Sequence, residues 1–385
     1  MEDFHFNQII YLSNSPLKYL EKGFHISELK NINDLEVKFW NLTQIVFGEK
    51  TNEEKNIFEK NISNLNQFEN EIKLQKNQKS LYISLISYEF STIHLYYILK
   101  KYNCKTLFFA RGALPQHKII SRLKTLDYNR IVSFCKNRIA LLIKYLKIVN
   151  THDYLLISGK EGYKTIGIGS EIDIKKSKIY YINALDKEIF DKTNNKLLEN
   201  KNKIAFLDEY LPFHPDNKLL NLKTLSENKY FKELNLFFSY LELKLKVQVV
   251  ICAHPKSEKY KTKNYFENRK IYFNETNEIV KASRGVICHA STSVNFAVLS
   301  KKPITFISSN LIKHYLPLLD KQIILNSKIL KANFINIDNI ENEYYFHKLN
   351  EVKYNAWIKN YLSYKVDQNK SETSEILKEI LFKKN

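Results

Sequence analysis

VQVVICAHPK (residues 247–256) and GVICHASTSVNFAVLSKKPITFIS (residues 285–308) decide the fold of this chain. Each opens as an unbroken apolar run, the form of a strand buried on both faces of a parallel sheet. The first run stops at His254-Pro255 and the second at Ser291-Thr292-Ser293. VNFAVLSK then reads as a helix and PITFIS (303–308) as another strand. In an open parallel sheet, ligands bind just beyond the carboxyl ends of the strands. Both polar stops therefore stand at the functional end.

The same alternation continues outward. KIAFLDEY (203–210) is a strand running into Asp208-Glu209. Residues 226–245 form an amphipathic helix through Phe231, Leu234, Phe237, Phe238 and Leu241. KIYFN (270–274) is a short strand and ETNEIVKAS a helix. Near the start, FNQIIYLSNSPLKYL is a strand, a turn at Ser13-Asn14-Ser15-Pro16 and a helix entry. Residues 26–78 are polar and helical in rhythm, and 89–101 form a helix with an apolar side. LYISLIS (81–87), KTLFFAR (105–111), DYLLISG (153–159) and YYINA (180–184) supply further strands. Residues 116–150 read as a long basic helix or helix pair. The stretch holding Gly159, Gly162, Gly167 and Gly169 matches neither a Walker loop nor GxGxxG, and reads as a hairpin or an irregular crossing.

This alternation predicts an α/β chain with parallel sheets and right-handed crossovers. A length of 385 residues suits two domains. We place a Rossmann-like domain at 1–190 and a second at 191–345, with the polar run 186–202 as linker. C-terminal helices at 346–385 pack back toward the first domain.

The formal charge is +19, from 60 basic and 41 acidic residues. That excess suits either a solvated surface or an anionic partner, such as nucleotide phosphates, a glycan or a bacterial inner-membrane surface. No helix-turn-helix, zinc finger or aromatic RNA-binding signature accompanies it, so nucleic acid is not expected. The four cysteines lie apart in apolar surroundings and fit a reduced, cytoplasmic setting. MEDFHFNQII lacks the form of a signal peptide. No apolar run approaches the ~20 residues that span a bilayer, so any membrane contact is peripheral, on the inner face.

Several groups suit chemistry. Asp208 or Glu209, at a buried strand end, could act as a general base, while the alternative is a turn cap. His254, with the backbone fixed by Pro255, could assist a leaving phosphate, or simply bond a backbone carbonyl. Ser291, Thr292 and Ser293 open a helix, where hydroxyls and free N–H groups favour an anion. Capping alone would need one of them. Lys256 and Arg111 could neutralise phosphate or a sugar carboxylate. His214, in the loop LPFHPDN, could contact acceptor. No metal spacing, catalytic triad or nucleophile elbow is visible, so no cofactor is expected.

In order, Asp208-Glu209-Tyr210, His254-Pro255 and Ser291-Thr292-Ser293 resemble the motifs of bacterial sialyltransferases and related CMP-nonulosonate glycosyltransferases of the GT-B fold. The likeness covers mainly residues 203–308 and the entry IIYLSNSPLKYL. Tyr210 departs from that pattern, which has glycine there. The resemblance implies two Rossmann-like domains whose parallel sheets face across a cleft. It implies inverting, metal-independent transfer of an acidic sugar from a CMP-sugar donor to a bacterial surface glycan. Asp208 or Glu209 would be the base. His254 would assist departure of CMP, with its phosphate held by Ser291–Ser293. Ser13, Asn14 and Ser15 would face the cleft. Another enzyme reading is polyol-phosphate transfer from CDP-glycerol or CDP-ribitol, and a non-enzymatic one is a binding protein for anionic ligands.

Overall fold

The computed structural model describes residues 5–21, 23–48, 58–115, 128–193, 200–215, 217, 223–339, 346, 348–364 and 372–382. The chain divides into two compact units. One comprises Met1–Ala113, Leu123–Leu185 and Ser363–Asn385, the other Leu114–Arg122 and Asp186–Leu362. Each is built on one sheet in which every pairing is parallel. This is the α/β, Rossmann-like pair of units that defines the GT-B fold class.

The first sheet holds β1 (Gln8–Ser13), β2 (Glu36–Asn41), β3 (Glu59–Asn61), β4 (Ser80–Ser84), β5 (Lys105–Ala110), β6 (Tyr154–Ser158) and β7 (Lys178–Ile182). Their spatial order is β3-β2-β1-β4-β5-β6-β7. Successive residues of a strand face opposite sides, so β1 feeds two cores. Ile9 and Tyr11 pack with Phe39, Ile83 and Phe109 on one side. Ile10 and Leu12 pack with Trp40, Phe68 and Tyr82 on the other. The first core is completed by Ile376, Leu377, Ile380 and Leu381 of the helix Thr373–Leu381. His5 N–H donates to the Leu381 carbonyl at 2.8 Å, which ties that helix to the start of the chain.

The second sheet holds β8 (Asn200–Leu207), β9 (Gln248–Ala253), β10 (Ile271–Phe273), β11 (Ser283–Cys288), β12 (Ile304–Ser308) and β13 (Asn333–Asn336). Their order is β10-β9-β8-β11-β12-β13. The chain moves outward through β9 and β10, then returns past β8 to β11. The sheet thus reverses direction between β8 and β11. The helix Glu227–Leu245 covers it, burying Tyr230, Phe231, Leu234, Phe237, Phe238 and Leu241 at helical spacing.

Several expectations are corrected. Residues 26–78 are not simply helical, because β2 and β3 lie within them. β2 is exposed at Glu36 and fully buried only over its last three residues, and β3 is a polar edge strand, so neither shows a continuous apolar run. The glycine stretch is not a hairpin. It is a 3-10 turn, Gly162–Ile166, followed by the helix Ser170–Lys176. Gly167, at φ +104°, passes so close to Tyr88 that a Cβ would lie 2.3 Å from its carbonyl oxygen. Within the expected linker, Leu185–Lys192 is helical, and 194–199 lie outside the described residues. Of the long basic segment, Tyr128–Tyr145 is one helix, and 116–127 lie outside the description. The helices Asn310–Tyr315 and Pro317–Leu330 and the strand β13 had no counterpart in the sequence reading.

Candidate active site

Ligand crevices in doubly wound sheets form where the strand order reverses. In the second unit that point lies between β8 and β11. β8 pairs with β9 on one side and β11 on the other, with Leu207 opposite Cys252 and Cys288. Asp208-Glu209, His254 and His289-Ala290-Ser291 consequently leave neighbouring strands at one edge. The sequence-selected groups of the second unit are thus brought together by the pairing itself.

Asp208 is 3% exposed. Its Oδ2 accepts from the Tyr210 N–H at 3.0 Å. Its Oδ1 is buried without a hydrogen-bond partner. The Tyr260 hydroxyl faces Asp208 closely enough to favour its ionised form, yet falls short of hydrogen-bond geometry. Burial dominates and pushes the Asp208 carboxyl up to about 7, against the hydrogen bonds that oppose it. Glu209 crosses the switch point, and its Oε1 accepts from the Ala290 N–H at 2.5 Å. Burial, reinforced by the neighbouring Asp208 charge, pushes Glu209 up to about 8, while the Ala290 and Ser291 backbone resists. The Glu209 carboxyl group thus sits on the Ala290 N–H, next to the helix start at Ser291–Ser293 that suits an anion.

Tyr210 has φ 55°, the left-handed conformation that glycine adopts without strain. Its ring is held by Phe213 and Tyr260 at centroid distances of 5.3 and 5.1 Å. The Tyr210 hydroxyl accepts from the Lys259 N–H at 3.3 Å. Aromatic packing therefore sustains a backbone shape that this residue type disfavours.

His254 Nδ1 accepts from the Lys256 N–H at 3.1 Å, which leaves the neutral ring's proton on Nε2. Its ring lies 4.9 Å, centroid to centroid, from that of His214. Nothing in LPFHPDN shows that this loop brings His214 to the end of β9. Pro255 is exposed and Lys256 half-buried. Ser291 is buried and its Oγ accepts from the Ser293 N–H at 3.3 Å. Thr292 is exposed, and Ser293 begins the helix Val294–Leu299 without a side-chain cap bond. His289 is a core residue. Its Nδ1 donates to the Ile307 carbonyl at 2.8 Å, Nε2 receives the Tyr230 hydroxyl at 3.0 Å, and burial pushes it down to about 4.

The remaining candidates belong to the first unit. Ser13, Asn14 and Ser15 lie at the end of β1, beside that sheet's own reversal between β1 and β4. The Ser13 hydroxyl donates to the Ser15 carbonyl and accepts from the Ser15 N–H, both at 3.0 Å. Arg111 follows β5 and donates to the Gly23 carbonyl at 2.9 Å and the Thr373 hydroxyl at 2.6 Å. Its contacts here fasten the unit. Tyr260 and Tyr230 escaped the sequence reading, because buried tyrosines carry no spacing signal.

No protein-family model matches the chain, and no curated protein does. Solved structures do. The UDP-GlcNAc 2-epimerase of Methanocaldococcus jannaschii is 15% identical over 94% of this chain and 93% of its own, with a TM-score of 0.41. The wall teichoic acid polymerase TagF, as its H444N variant, is 13% identical over 96% and 87%, at 0.47. CalG4, the calicheamicin glycosyltransferase, is 7% identical over 86% of each chain, at 0.41. At these identities and scores no reaction or residue role is carried over. The resemblance to CMP-nonulosonate sialyltransferases is nonetheless overturned, since the similar structures are UDP-GlcNAc 2-epimerases and glycosyltransferases of other kinds. The motifs misled for a physical reason. Acidic, His-Pro and hydroxyl clusters in this order follow from strand ends of a parallel sheet, whatever donor it serves.

Proposed function

We propose that this chain is a glycosyltransferase that takes a nucleotide-activated sugar at the carboxyl edge of the second sheet. The observation that carries this reading is the Glu209 carboxylate on the Ala290 N–H. The Ala290 N–H already points at an acceptor oxygen, and a donor phosphate oxygen is an acceptor that can take its place. The Ala290–Ser293 backbone and hydroxyls then bind the leaving phosphate. Glu209, displaced, takes the proton of the acceptor hydroxyl as that oxygen forms a bond to the anomeric carbon. The bond from the anomeric carbon to the phosphate oxygen breaks in the same displacement, with inversion. His254, protonated on Nε2, stabilises the departing phosphate. Asp208 holds the loop through the Tyr210 N–H. Lys256 adds positive charge.

The His214–His254 pair favours a second reading, transfer of a polyol phosphate from a CDP-polyol. Two adjacent imidazoles suit a reaction at phosphorus, one as base and one as acid. Thermal shift with UDP, GDP, CDP and CMP comes first. A nucleotide at 100 times its dissociation constant stabilises by about 2.7 kcal/mol. Product analysis with the preferred donor then separates the readings, since only polyol-phosphate transfer leaves phosphorus in the acceptor. If no nucleotide stabilises the protein, both fail.

A further inference from the structure

The helix Tyr128–Tyr145 is fastened to the first unit along a narrow stripe. Ala140, Lys144 and Val149 are buried. The Tyr88 hydroxyl donates to the Ala140 carbonyl at 2.9 Å, and Lys144 pairs with the fully buried Asp173. Ile143 adds to the stripe by packing with Tyr88 and Tyr96, whereas residues 133–139 are all exposed. A surface helix ordinarily turns its apolar side inward and its polar side to water. Here Phe134, Ile139, Leu142, Tyr145, Leu146 and Ile148 are 42–73% exposed. Large apolar side chains exposed this densely mark an interaction surface.

The charge on this face has one sign. No Asp or Glu occurs from Tyr128 to His152. Lys136, Arg138 and Lys147 are exposed among the apolar groups. The Arg138 guanidinium lies 4.9 Å from the centre of the Phe134 ring. Long cationic side chains beside aliphatic and aromatic ones suit an interface whose surface is anionic and whose interior is apolar. A second copy of the chain fits worse. Packing this face on itself would bring Lys136, Arg138 and Lys147 against their own counterparts with no acid to offset them.

We propose that the outward face of residues 133–148 docks the protein on an anionic lipid bilayer. The apolar side chains enter the acyl boundary while Lys136, Arg138 and Lys147 meet the headgroups. Asp173, by holding Lys144, fixes the orientation of the face. This surface does not depend on the transferase reading.

Flotation of the full-length protein with phosphatidylcholine vesicles, with and without phosphatidylglycerol, tests it. The protein floats with the phosphatidylglycerol vesicles, stays behind with the neutral ones, and is released as salt rises. Leu142→Gln with Tyr145→Gln, and separately Lys136→Glu with Arg138→Glu, each weaken flotation by roughly tenfold or more. Both variants keep the wild-type melting temperature, because all four side chains are exposed. The proposal is overturned if the wild type floats with neither vesicle or equally with both. It is overturned if both variants float unchanged. It also fails if light scattering shows a wild-type dimer that Leu142→Gln with Tyr145→Gln dissociates, or if only an acidic protein surface is bound.

Discussion

The Glu209 carboxylate receives the Ala290 N–H at 2.5 Å across the reversal point of the second sheet. One residue earlier, Asp208 is more deeply buried and turned to the Tyr210 N–H. Adjacent carboxyls on one strand end therefore have different partners, one on the neighbouring strand and one within its own loop.

Burial makes the neutral form of Asp208 the one that the fold favours. Its folded value of about 7 stands above the ordinary carboxylate range near 4. Its stabilising effect is full below about pH 4, declines as pH rises, and is exhausted above about pH 7. Asp208→Asn removes that decline while keeping an acceptor for the Tyr210 N–H. The variant should gain on the wild type between pH 4 and pH 8, by on the order of 2–4 kcal/mol. Denaturant titrations at both pH values check this. An unchanged gap would mean that Asp208 is ionised in the folded state throughout.

His254→Gln should lower kcat by roughly 10²-fold or more while the melting temperature stays near that of the wild type. His214→Gln should do the same only if chemistry occurs at phosphorus, where both imidazoles are used. Steady-state rates of the two variants with the preferred donor decide which. Near-normal turnover of His254→Gln would remove it from the mechanism.

Tyr210→Gly opposes two effects. Glycine relieves a left-handed residue, worth about 1 kcal/mol. Removal of a buried aromatic side chain costs about 3–5 kcal/mol. The ring packs on Phe213 and Tyr260, so the packing loss wins. The variant should lose roughly 2–4 kcal/mol in urea unfolding. A stabilised variant would show that backbone strain, and not the aromatic cluster, dominates here.

Lys144 and Asp173 are both buried, with burial lowering the first pKa and raising the second. Lys144→Met alone should cost about 3–5 kcal/mol, because Asp173 is left uncompensated. Lys144→Met with Asp173→Leu should recover most of that. A double-mutant cycle by calorimetry measures the coupling, and additive losses would show that the pair does not act as a unit.

The second sheet was legible because β9, β11 and β12 are buried on both faces and so read as continuous apolar runs. Edge strands were not. Asn333–Asn336 is half-exposed and Glu59–Asn61 is wholly polar, so neither carries a period. The same division holds in the candidate site. Asp208, His254 and Ser291 stand at ends of readable strands, and their proximity follows from pairing. The contact of His214 with His254 depends on the path of a loop. The bond from Ala290 to Glu209 depends on the rotamer of one side chain. Neither leaves a mark in residue order. The ligand, too, was beyond the motifs, which report where strands end and not what binds there.

Ile376, Leu377, Ile380 and Leu381 complete the core of the unit that contains the chain's first strand. On the ribosome, which releases the chain from its amino end, those side chains emerge after every strand of both sheets. The portion synthesised first must wait with an apolar face uncovered, while the portion that follows already possesses its six strands. The unit whose first strand emerges earlier is thus the one whose core closes later. Removal of the helix Thr373–Leu381 would expose its interior and leave the six-stranded sheet whole.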